Sequence, residues 1–175
     1  MGRSEYQIRR GGPERRTEGT TGTMTVNTPA EHWRYARHLE SLAAVSGQPA
    51  EAEAVAAVLR DPDLVMAESA VVTHLDRRAA GLLADEAFPA WAQAVGSALA
   101  GRTFAARRLR EWTLLKAVTR GEPWSAAELL AASDWCQRTA AQSLHDDEAL
   151  RLLAAEARTR RVRNAAAQRL LRRAA

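Results

Sequence analysis

The side chains best suited to chemistry in this sequence are His145, Asp146 and Asp147, which stand in a row. Neutral imidazole and carboxylate oxygens suit a divalent metal, and a hydrolase built on them would need His74 or His38 as a further ligand. A plainer reading is preferred. Asp146 caps the following helix, and Asp147 and Glu148 lie beside that helix's positive end. Cys136 follows Trp135 near an expected helix start, where a thiolate would be stabilised. It also falls on an inward face, and core packing is the expectation for it. His32 and His38 are six residues apart and do not share a helix face, so they are expected on the surface. No metal or cofactor is expected from these residues.

The elements that must position these groups all read as helices. Thr28-Pro29-Ala30-Glu31 is a capping box with proline at the first helical position, ahead of a stripe of Trp33, Ala36, Leu39 and Ala43. Gly47 is the expected stop. A second helix is expected over 49–60, with Val55 and Leu59 inward. Asp63 caps a third, whose stripe is Leu64, Ala67, Val71 and Leu75. Further helices are expected over 85–99, containing Pro89 and Trp91, and over 103–120, capped by Thr103 and ended by Gly121. Ser125-Ala126-Ala127-Glu128 is a second capping box, and Ser133 is a cap shortly after it. The last helices are expected over 134–144, 147–157 and 160–173. No strand-like alternation interrupts the series, so the fold class is all-α, a single domain over 28–175.

Residues 1–27 are rich in Gly, Thr, Arg and Glu without a helical period and read as a disordered tail. Met24, inside it, is the expected physiological start. In the 175 residues, 46% are hydrophobic and only 5% aromatic, so alanine and leucine do most of the packing. A lone cysteine excludes an internal disulfide, and no apolar run of membrane-spanning length occurs. The cytoplasm is the expected compartment. Lys116 is the only lysine, and this arginine and alanine bias points to a GC-rich bacterial genome. Charge is uneven. Seven arginines follow residue 157 with no acid among them, and residues 1–23 carry +2; against an overall +4, residues 24–157 are left at −5.

Two segments match each other at an offset of 26 residues: SDWCQRTAAQSL (133–144) and TRRVRNAAAQRL (159–170). The register places Cys136 over Val162, Ala140 over Ala166 and Leu144 over Leu170, and 64–75 fits the same frame. A repeated hairpin cannot cover its own apolar face, so copies stack. Val162-Arg163, Ala165-Ala166 and Leu170 resemble the second helix of a HEAT repeat, as does Asp61-Pro62-Asp63 with its following stripe. The resemblance covers 60–75 and 125–171, while 76–124 does not fit it. It implies a short HEAT-like α-solenoid of antiparallel helical hairpins and a protein-binding or scaffold role, and it supplies no catalytic residues. An irregular helical bundle is the alternative.

Five tryptophans and the terminal arginines are the remaining signals. Trp33 and Trp112 are expected in the core. Trp124 reads as a hydrophobic staple ahead of the Ser125 cap, or else as an exposed anchor, and Trp91 is open to either role. With Arg160, Arg161, Arg163, Arg172 and Arg173 they form the candidate partner-binding set. The expected function is a non-enzymatic interaction module with a protein partner. The alternative is nucleic-acid binding through the arginine-rich last helix, without base stacking, since that helix has no aromatic. Some HEAT-like proteins excise alkylated bases with Trp, Asp and Arg in a groove; Trp135, Asp134 and Arg138 match those residue types only.

Overall fold

A computed structural model describes residues 31–45 and 47–174, and the described residues form nine α-helices and no strand. These are α1 (Glu31–Ala43), α2 (Gln48–Val58), α3 (Leu64–Leu82), α4 (Phe88–Ala98), α5 (Thr103–Arg120), α6 (Ala126–Ala131), α7 (Asp134–Ser143), α8 (Asp147–Glu156) and α9 (Arg160–Ala174). The tail 1–27, Met24 and the cap residues Thr28 to Ala30 lie outside the described residues.

Most helix starts are local chemistry. Asp63 accepts from Met66 N at 3.1 Å, Ser133 from Cys136 N at 3.2 Å, and Asp146 from Ala149 N at 2.7 Å. Each satisfies one of the amide groups that a first turn leaves without an intrahelical partner. Ser125 and Thr159 accept from Glu128 N and Val162 N in the same way, both at 3.3 Å. Gly121, at φ +68°, closes α5 with Glu122 N donating to Ala117 O at 2.9 Å, the bond of a Schellman stop.

Three expectations need correction. Thr103 does not cap α5. Arg102 occupies the cap position, and the carboxylate of Glu68, on α3, accepts from Ala105 N at 3.2 Å. A neighbouring helix thus supplies what a local serine or threonine would. Gly47 does not end α1, which stops at Ala43; at φ +94° it leads into α2. Trp33 is 67% exposed rather than in the core. The face of α1 turned to α3 carries Tyr35, which shares a 2.9 Å hydrogen bond with Thr73, and Leu42, which is buried. The stripe is therefore rotated from the one that Trp33 and Ala36 suggested.

Packing runs between alternate helices. α1 packs on α3, α3 on α5, α5 on α7 and α7 on α9, while α2 packs on α4 and α6 on α8. α8 and α9 form the most extensive hairpin. Five of the six residues matched across the internal repeat lie inside: Cys136, Ala140 and Ala166 are 0% exposed, and Val162 and Leu144 are buried with them, while Leu170 is half-buried against the core. Alanine at these places lets α7 and α9 approach closely. Trp112 is buried as expected, and Trp91 joins it in the core.

Candidate functional site

Helix α2 is alanine-rich, yet its inward stripe of 51, 55 and 58 carries an acid. Glu51 is 2% exposed between Val55 and the neighbouring helices. Its Oε1 accepts from His74 Nε2 at 2.8 Å and from Trp91 Nε1 at 2.9 Å. Arg78 Nε lies 3.2 and 3.3 Å from its two oxygens. Burial by itself would raise the Glu51 pKa. The hydrogen bonds from Trp91, Arg78 and His74, with the positive charge of Arg78, outweigh it and hold the carboxyl below its ordinary value. The result is an ionised carboxylate that joins α2, α3 and α4.

A second node repeats the plan one step along. Asp76 on α3 accepts from Trp112 Nε1 at 2.7 Å and from Arg108 Nη1 at 2.6 Å, both on α5. The Arg108 guanidinium lies 3.6 Å from the centroid of the Trp135 ring, and Trp135 meets Trp112 edge-on at 5.3 Å. Glu111 faces the same helix start, where Oε1 accepts from Ser133 N at 2.9 Å. Gln137, 0% exposed, donates to Leu129 O and Leu130 O and accepts from Arg158 N, which ties α6 to α7 and to the α8–α9 turn.

Outside these nodes the Glu51 cluster borders a cleft of about 490 Å³. His74, Arg77 and Arg78 form one side, and Leu39, Leu42 and Val45 the other. Arg77 has no hydrogen-bond or ion-pair partner among the described residues. Accessible cationic groups and a partly open volume meet here, and the sequence reading missed it. The signal was present: Glu51 sits at helical spacing with Val55, on a stripe where a charged residue is out of place.

The residues singled out from the sequence do not converge. Asp146 caps α8. Asp147 pairs with Arg151 at 3.4 Å and Arg173 at 3.3 Å. His74 is held by Glu51, and His38 lies 3.2 Å from Asp61. Among the described residues no three His, Cys, Asp or Glu side chains are placed to hold a metal ion. Cys136 is buried, and its thiol is pushed up to about 12, first by burial and then by the charge of Glu111. Such a thiol is no nucleophile at neutral pH.

Trp135 is engaged with Arg108 and Trp112, Asp134 pairs with Arg158 at 3.1 Å, and Arg138 is exposed without a described partner. Trp91 is 0% exposed with its indole N–H on Glu51, so it presents nothing to a partner. Trp124 is half-buried against the core in the position before the Ser125 cap, with buried Leu129 at the fourth helical position, as a staple requires.

The candidate arginines divide in two. Arg163 Nη1 donates to Ala157 O and Arg173 Nη1 to His145 O, both at 2.6 Å, and Arg169, outside the candidate set, likewise donates to Gln142 O and, at 2.8 Å, to Leu144 O. These carbonyls lie at helix ends, where no intrahelical donor reaches them. Arg160, Arg161 and Arg172 are exposed and have no described partner. Of the described helices, none is long and apolar enough to cross a membrane. No family model matches the chain, and no curated protein or solved structure does so.

Proposed function

We propose that this chain is a non-enzymatic interaction module, a short HEAT-like stack of helical hairpins that holds a protein partner on the basic face of α9. The unbroken run of odd helices, α1 on α3, α3 on α5, α5 on α7 and α7 on α9, supports the stack. The observation that carries the role is the division of polar groups. Glu51, Asp76, Glu111 and Gln137 all hold helices together, and Cys136 is inert, whereas Arg160, Arg161 and Arg172 face outward without a described partner. Arginine forks onto carboxylate and dominates binding hot spots, which makes an acidic protein surface the fitting partner.

The test compares the native chain with an Arg160→Glu, Arg161→Glu, Arg172→Glu variant in repeated affinity capture. A saturable protein partner that the variant loses supports the reading; equal capture by both, or none, removes it. Nucleic acid is the second reading, because the same three guanidinium groups would serve phosphate. It predicts binding at low salt that falls steeply as salt is added, and a shallower salt slope for the variant.

A further inference from the structure

We propose that the cleft between α1, the turn into α2 and α3 binds a small amphipathic organic anion, with its oxyanion head on Arg77 and Arg78 and its apolar body against Leu39, Leu42 and Val45. This site is separate from the α9 face and does not depend on the role given to that face.

His74, Arg77 and Arg78 fall at positions i, i+3 and i+4 of α3, so they share one side of the helix, and all three line the cleft. Glu51 sits behind them. It holds Arg78 through Nε alone, at 3.2 and 3.3 Å, and leaves both Nη groups without a described partner. A fork whose Nε is anchored is oriented before a ligand arrives, which lowers the ordering cost of binding. The adjacent Arg77 is exposed and unpaired among the described residues. Glu51 neutralises the Arg78 guanidinium, so the charge of Arg77 is left uncompensated at the polar end of the cleft.

The opposite wall is aliphatic, from the end of α1 and the turn after it. A volume of about 490 Å³ lies in the range of small-molecule sites, which pair apolar walls with a few placed polar groups. Carboxylate and phosphate monoester heads both satisfy two arginines, and the head is left to the experiment.

Isothermal titration of the full chain with octanoate and with octyl phosphate tests the site, with octyltrimethylammonium and inorganic phosphate as controls. One or both amphipathic anions bind saturably with a dissociation constant below about 1 mM, and the cation does not. Tighter binding of octanoate identifies a carboxylate ligand, and tighter binding of octyl phosphate a phosphate monoester. Arg77→Glu reverses a charge that no described contact uses and weakens binding at least about tenfold. Ala43→Trp, at an exposed position lining the cleft, fills the apolar side and does the same. Arg120→Glu, at an exposed position outside both the cleft and the α9 face, leaves binding unchanged.

The indole N–H resonance of Trp91, which reports on Glu51 and through it on Arg78, shifts with the bound anion. Circular dichroism establishes that each variant is folded. No saturable binding below about 1 mM, equal binding of the cationic amphiphile, or undiminished binding in both cleft variants overturns the proposal.

Discussion

Between α2 and α5, arginines meet carboxylates: Arg78 at Glu51 and Arg108 at Asp76, with a tryptophan N–H completing each node. Between α6 and α9 four arginines meet backbone carbonyls instead. Arg158 donates to Ala132 O, Arg163 to Ala157 O and Arg169 to Leu144 O, each carbonyl belonging to the residue that caps a helix C-terminus. Arg102, which reaches Leu59 O at the end of α2, is the earlier region's single example of the second device. The contrast teaches that one residue type fastens this molecule in two physically different ways. The buried Glu51 carboxylate, held below its ordinary pKa, responds to pH, and losing it strands several donors at once. A carbonyl does not titrate, and each such contact stands nearly alone. The acidic partners in the later region, Asp134 and Asp147, have side chains 55% and 45% exposed, so their ion pairs contribute little.

Glu51→Ala should show the largest effect. It leaves the Trp91 N–H and His74 buried without their acceptor, and it should lower unfolding free energy by about 3 kcal/mol in urea denaturation. A loss under about 1 kcal/mol would erase the distinction between the two regions. The same carboxylate sets a pH dependence. Its pKa in the folded chain lies below that of the unfolded chain, which is about 4.3. Its contribution is therefore full above that value and fades as pH falls through the lower folded pKa. Hydrogen-exchange protection factors in α2 to α4 should fall in acid before those of α7 to α9. Simultaneous loss would show that the node does not act regionally.

Ala166→Leu probes the other region. It enlarges a side chain that is 0% exposed in the α7–α9 contact and should cost about 2 kcal/mol by overpacking, with the same value at pH 4 and pH 7. Arg169→Ala should have the smallest effect, about 1 kcal/mol, because water can reach the freed carbonyls, and its cost should likewise be independent of pH. A cost for Arg169→Ala as large as that of Glu51→Ala would mean that the arginine–carbonyl contacts form a connected network rather than separate ones.

Much of the helical plan was legible. Asp63, Ser125, Ser133 and Asp146 cap where they were expected to, because capping is settled within four residues of sequence. Ala67, Val71 and Leu75, and the repeat pairs from Cys136 to Ala166, are buried for the same local reason: helical pitch fixes which side chains share a face. The candidate site was hardly legible. Nothing local distinguishes Glu51 from an ordinary acid in an alanine-rich helix, since its three donors come from 23, 27 and 40 residues away. Arg163 and Arg173 looked like free surface charge for a similar reason, as a carbonyl acceptor leaves no mark in side-chain composition.

By itself, then, the sequence determined where most helices begin and which stripe of most of them turns inward. Those outcomes depend on neighbours a few residues apart, whose geometry the helix itself imposes. Tertiary structure alone decided that α1 turns Tyr35 and Leu42 inward instead of Trp33, that Glu68 caps α5, and that Glu51 is buried behind a cationic cleft. Each of these depends on which helix lies against which, and a buried charge is tolerable only where distant donors arrive to meet it.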